Sequence, residues 1–207
     1  MKRRSSKKGK PQNWSDSLTE RAKKENYPAR SVYKLKEIQK KFKVIRKGGT
    51  VLDLGCAPGS WLLYAAQAAG GNGKVVGVDL KPLEIPLPDN AAVVCSDIHD
   101  IMEDLEQYAE GGFHAVLSDM APATTGRKDV DAARSYELCA AALQCARNLL
   151  SENGCFVCKI FQGQEYKAFE KEVKPMFAET RTFKPESCRK ASKEIYIIGK
   201  GKIKEDE

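Results

Sequence analysis

Histidine is scarce in this chain: His99 and His114 are the only two among 207 residues. Neither stands at a ligand spacing from another histidine, so no metal site is expected. Long apolar runs are missing as well. No stretch approaches the roughly 18 consecutive apolar residues that cross a bilayer, and no apolar segment follows the N-terminal charges to serve as a signal peptide. Residues 1–11 are Lys-rich without an apolar face, which fits an organelle transit peptide poorly. A soluble, cytoplasmic protein is expected. Two phosphate-binding loops are also absent. Without G-x-G-x-x-G a nicotinamide dinucleotide is disfavoured, and without G-x-x-x-x-G-K-[ST] a P-loop is excluded.

Cysteine is present seven times, an odd number. Cys56, Cys95, Cys155 and Cys158 lie in apolar runs where a small hydrophobe would serve, the pattern of reduced thiols. Cys155 and Cys158 form a C-x-x-C, but within one strand residues three apart point to opposite faces, which argues against a dithiol or a metal pair.

With 42% hydrophobic residues, the chain can bury one core and is short for two. The expected division is a basic arm over 1–27, one domain over 28–200 and a charged tail over 201–207. The excess of positive charge is confined to one end. Residues 1–47 hold 17 Lys/Arg against 4 Asp/Glu, a net of +13, whereas the remainder holds 18 against 24, a net of −6. Trp14, Tyr27 and Tyr33 place rings among those cations, which suits stacking on RNA better than a merely solvated tail.

Beyond the arm, Ser31 can cap a helix reaching about residue 41. From Thr50 onward, strand-like runs (50–54, 74–80, 91–95, 113–119, 155–161) alternate with helix-like segments (60–69, 100–109, 131–150, 164–177). That alternation predicts an α/β fold, a doubly wound and mostly parallel sheet. The last runs, 178–184 and 194–200, follow each other without a helix and predict an antiparallel addition at the C-terminal end.

The chemistry begins at Val51-Leu52-Asp53-Leu54-Gly55-Cys56-Ala57-Pro58-Gly59-Ser60-Trp61, an apolar strand entering a Gly-containing turn and then a helix. Gly55 and Gly59 permit backbone geometry and close ligand approach that a Cβ forbids. Asp79 ends the next strand 24 residues after Gly55, about where an acid reaches ribose hydroxyls in a Rossmann unit. Asp97, at a third strand end, is placed to accept from an adenine amino group, although a helix N-cap would also explain it. Acidic strand ends facing no phosphate suit a cationic sulfonium nucleoside. Lys159 interrupts the apolar run Val157-Cys158-Lys159-Ile160-Phe161. Burying an unpaired ammonium costs several kcal/mol, so it should meet an acid or a cleft unless it snorkels to solvent.

Four motifs in chain order resemble the FtsJ/RrmJ family of RNA 2′-O-methyltransferases across residues 28–200. They are Tyr33-Lys34-Leu35-Lys36-Glu37-Ile38; Asp53-Leu54-Gly55-Cys56-Ala57-Pro58-Gly59-Ser60-Trp61; Ser118-Asp119-Met120-Ala121-Pro122; and Lys159-Ile160-Phe161-Gln162-Gly163 with Lys193-Glu194-Ile195-Tyr196. The resemblance implies a Rossmann-like class I methyltransferase with a seven-stranded sheet. It implies a catalytic tetrad of Lys34, Asp119, Lys159 and Glu194, and S-adenosylmethionine contacts at Gly59, Trp61, Asp79, Asp97 and Asp119. The implied substrate is a ribose 2′-hydroxyl, of a uridine in large-subunit ribosomal RNA, and the implied state is a monomer. Two positions depart from the pattern: Ser60, where close relatives often have Gly, and Ala123-Thr124-Thr125 after the Asp119 motif.

A free lysine titrates near pH 10.4. The sequence therefore leaves open whether Lys159 removes the hydroxyl proton or orients the oxygen. A cytosine-C5 methyltransferase would need a nucleophilic Cys where Ala123 stands. An amino-group enzyme would need an Asn/Asp-Pro-Pro-aromatic loop in place of Asp119-Met120-Ala121-Pro122. A tRNA or cap 2′-O-methyltransferase shares the tetrad and stays the alternative, beside a non-catalytic ribosome assembly factor on the same fold.

Overall fold

The computed structural model describes residues 14–204 apart from 103, 123, 124 and 190, so the first thirteen residues of the basic arm and the last three of the tail lie outside it. Seven strands form one sheet: β1 (Thr50–Leu54), β2 (Lys74–Asp79), β3 (Ala91–Cys95), β4 (Phe113–Ser118), β5 (Leu150–Phe161), β6 (Phe177–Phe183) and β7 (Glu194–Lys202). Their order is β3-β2-β1-β4-β5-β7-β6. The first five pair in parallel, while β7 runs antiparallel to both β5 and β6. The predicted architecture is therefore present.

Helices α2 (Val32–Phe42) and α3 (Ser60–Ala69) cover one face, and α4 (Lys128–Leu149) and α5 (Gln164–Val173) the other. Strand alternation sorts the core between them. Val51, Leu117, Val157, Tyr196 and Ile198 pack toward α2 and α3, and Leu52, Val116, Phe156, Cys158 and Ile197 toward α4 and α5. Cys155 and Cys158 fall in opposite layers, as their spacing requires. Among the described residues no helix is long and apolar enough to cross a membrane.

Two segments differ from expectation. The 100–109 stretch is not an α-helix; it bends and closes into a 3-10 turn over Asp104–Tyr108. Asp100 and Asp104, like Glu106 and Glu110, repel at i,i+4 spacing. Burial of Ile101, Leu105 and Ala109 still anchors the segment to the core. Within the arm, a helix α1 (Trp14–Lys24) forms that was not expected. It packs Leu18 and Ala22 on Val32, Tyr33 and Tyr27. Its footing is ionic as well, with Glu25 held by Arg21 at 2.7 Å and by Lys36 at 2.6 Å. Lys36 Nζ also lies 4.4 Å from the Tyr27 ring centre.

Candidate active site

The carboxyl ends of β1, β2, β3 and β4 open into a cavity of about 740 Å³ whose wall includes Gly55, Asp79, Asp97, Asp119 and Lys81. This is where an open parallel sheet binds ligands. Gly55 turns there at φ 75°, and a Cβ on it would meet Met120 Cγ at 2.5 Å. Any other residue would push the Asp119 loop out of place. Asp79 pins the Gly55 turn, since its Oδ2 accepts Ala57 N–H at 2.9 Å while its Oδ1 accepts Lys81 N–H at 2.9 Å. Asp97 caps no helix, because the chain after it turns instead of coiling. It lies in the cavity wall and also accepts His99 N–H at 3.0 Å.

Gly59 and Trp61 are not part of that wall. Gly59 starts α3 at φ 106°. The Trp61 ring is buried, donates from Nε1 to Ser31 O at 2.9 Å and stacks on Tyr196 with ring centres 5.8 Å apart. Its side chain thus supports the tetrad region.

The four tetrad residues meet. Period-two alternation puts Leu117 and Asp119 on the same side of the sheet as Val157 and Lys159 of β5, whose register neighbour on β7 is Tyr196. Helix α2 lies over this face and lowers Lys34 onto it. Lys159 Nζ is 3.1 Å from Asp119 Oδ1 and also donates to the Asp119 main-chain oxygen. Lys34 Nζ is 2.7 Å from Glu194 Oε2 and 3.7 Å from Asp119 Oδ1. Lys159 is only 6% exposed, so it is paired rather than snorkelling. Burial alone would lower the pKa of Lys34, but Asp119 and Glu194 outweigh it and raise the value, so Lys34 stays cationic.

Two further residues belong to this cluster. Tyr196 donates its hydroxyl to Asp119 Oδ1 at 2.6 Å, and burial followed by the Asp119 charge drives its pKa well up, so it remains a donor. Asp53, on the same sheet face, is 1% exposed and neither of its carboxyl oxygens has a partner. Burial first, then the charges of Asp119 and Asp79, push its pKa well above the usual carboxylate value. Both were legible only as strand residues: Tyr196 stands beside Glu194 in the last motif and Asp53 opens the glycine loop.

An FtsJ-like methyltransferase model matches residues 27–202. The chain belongs to this family. It is 58% identical to the ribosomal RNA large subunit methyltransferase E of Desulforapulum autotrophicum, covering 98% of this chain and all of that one. The protein of the same name from Desulfatibacillum aliphaticivorans is 50% identical, over 95% of this chain and 94% of its own length. Among solved structures, a ribosomal RNA methyltransferase from Plasmodium falciparum superposes with a TM-score of 0.74 at 26% identity, covering 85% of this chain and 98% of that one. Fibrillarin from Aeropyrum pernix, solved with S-adenosyl-L-methionine, shares the fold at a TM-score of 0.55 and 16% identity, over 75% of this chain and 68% of its own.

Proposed function

We propose that this protein transfers the methyl group of S-adenosylmethionine to a ribose 2′-hydroxyl of RNA, and that the RNA is large-subunit ribosomal RNA, with a uridine as target. The observation that carries the reading is the Lys34–Asp119–Lys159–Glu194 cluster, built where an acid-lined cavity opens at the ends of β1 to β4. The names of the relatives support the ribosomal substrate.

The residues fit the cofactor. Asp79 and Asp97 line the cavity and offer it acceptors of the kind a nucleoside's hydroxyls and amino group require. Asp119, in the cavity wall, makes its inner end favourable to positive charge. The sulfonium methyl is the electrophile, and no metal is required for attack by oxygen.

The chain's own groups then have distinct tasks. An ammonium has three donors, and Lys159 directs donors at two oxygens of Asp119. A remaining donor can hold the acceptor oxygen, which favours an orienting role over proton removal before attack. Asp119 fixes Lys159 and is itself fixed by Tyr196. Lys34 and Glu194 form the neighbouring pair that shapes the ribose side. As the new O–C bond formed, the S–C bond of the sulfonium would break with its electron pair left on sulfur, and the hydroxyl proton would pass to solvent from an oxygen then carrying positive charge. Positioning of this kind supplies a large part of a barrier reduction.

The test is methyl transfer from labelled cofactor by the purified chain, followed by nucleoside mass analysis of large ribosomal subunits, naked ribosomal RNA and tRNA. A 2′-O-methyluridine in large-subunit RNA is expected. Methyl found on a base, or on tRNA alone, overturns the reading.

A further inference from the structure

Lys34 and Glu194 reach each other from distant parts of the chain, one on α2 and the other at the start of β7. Apolar packing sets the general place of α2, with Leu35 and Ile38 sharing a core layer with Tyr196 and Ile198. Such packing is non-directional and does not fix a lysine tip to a few tenths of an ångström.

A polar contact next to the pair is directional. Glu37 lies three residues after Lys34, on the same side of the helix. Its Oε2 accepts Glu186 N–H at 2.7 Å and its Oε1 accepts Ser187 N–H at 3.0 Å. Both oxygens of one carboxylate thus hold consecutive amides of the 184–193 connection between β6 and β7, by charge-assisted bonds. The turn is closed by Cys188 N–H on Pro185 O at 3.2 Å. Ser187 and Cys188 are consequently buried, in a loop that otherwise carries Lys184, Glu186 and Arg189 in solvent. Cys188 packs in the buried layer that holds Leu35 and Tyr196, and burial raises its thiol pKa to about 11, against the pull of Lys34 and with Glu194 and Asp119 adding to the rise. The same loop runs directly into Glu194.

We propose that Glu37 is a positioning residue, clamping the 184–189 turn onto α2 so that Lys34 is held in register with Glu194 and Asp119 on the acceptor side of the site. The proposal rests on the reading of the chain as an RNA 2′-O-methyltransferase. Glu37 touches no reacting group itself, and its carboxylate acts through helix and loop.

Glu37→Ala removes both acceptors, and Glu37→Gln keeps one. In the full-length protein, kcat at saturating cofactor and RNA should fall roughly 10- to 100-fold in Glu37→Ala, the loss that a small misplacement causes, and less in Glu37→Gln. Cofactor Kd and RNA KM should hold within about threefold, because neither binding surface is altered. Maleimide labelling of Cys188, followed by peptide mass analysis, should accelerate in the same order. Unchanged kcat, or a fall in cofactor affinity parallel to kcat, overturns the positioning role. Labelling as slow as wild type overturns the clamp. A wild-type protein without methyl transfer would refute the functional reading instead, and the labelling series would still decide whether Glu37 holds the turn.

Discussion

A lysine inside an apolar strand requires a partner, and Lys159 finds it in Asp119 at 3.1 Å. Replacing Lys159 by Ala should cut turnover roughly 100-fold or more, the loss that misplacing the acceptor oxygen causes. Cofactor affinity should barely change, because Lys159 is not in the cavity wall. Asp79→Ala should reverse the pattern. It loses the hydrogen bonds that hold the glycine turn, and cofactor Kd should rise by about tenfold or more. Calorimetric titration beside single-turnover rates separates the two, and a Lys159→Ala enzyme of near wild-type rate removes the assigned role. Asp53 gives a pH prediction. Its folded-state pKa is raised, so its stabilising contribution is full below the ordinary carboxylate value near 3.9 and is lost as pH rises through the folded value. Asp53→Asn should therefore raise the Tm of the cofactor-free protein at pH 8 more than at pH 4. A Tm difference independent of pH would show that Asp53 has no shifted titration.

Elements that the sequence hides are those with thin apolar faces. Helix α1 offers Leu18 and Ala22 to the domain, too short a stripe to stand out among so many charges, and its docking depends on Tyr27, Val32 and Tyr33 further along. Ala22 is 1% exposed, so Ala22→Asp forces a carboxylate into that contact. The expected result is faster tryptic cleavage within α1, with the thermal transition of the sheet domain and its cofactor affinity close to wild type. A cooperative loss of the whole domain would instead make α1 part of the core. The 100–109 segment shows the converse case, helical in apolar spacing yet irregular because its carboxylates crowd one another.

Across the whole molecule the charge is divided, with a net of +13 over residues 1–47 and of −6 over residues 48–207. Like-charge repulsion would keep RNA from the acidic remainder, so the arm should supply long-range attraction. Deleting residues 1–10 removes Lys2, Arg3, Arg4, Lys7, Lys8 and Lys10 and leaves Lys34 in place. Tm, cofactor affinity and the rate at saturating RNA should survive the deletion. RNA affinity should fall, and the slope of log affinity against log salt should flatten by about 0.7 to 0.9 for each phosphate that the shortened chain no longer neutralises. Affinity measured across a salt series for both forms checks this, and superimposed lines would show that the arm takes no part in binding.

Local chemistry was legible because it is encoded within short windows. Strand alternation, the Gly55 turn, the acid at Asp79 and the improbable lysine at 159 all follow from neighbours a few residues apart. The parallel order with its antiparallel end followed from the alternation of element types. Which residues complete the site did not, because that depends on register between strands distant in sequence. Tyr196 reaches Asp119 only because β7 inserts beside β5. Trp61 is turned away from the cavity because its ring is captured by Tyr196 and Ser31. Asp53 became an unpartnered acid, and Glu37 a link to the β6–β7 turn, only when the sheet and α2 closed over them. Hydrogen bonds and desolvation act over a few ångströms of space, and the chain order alone does not say which residues will share them.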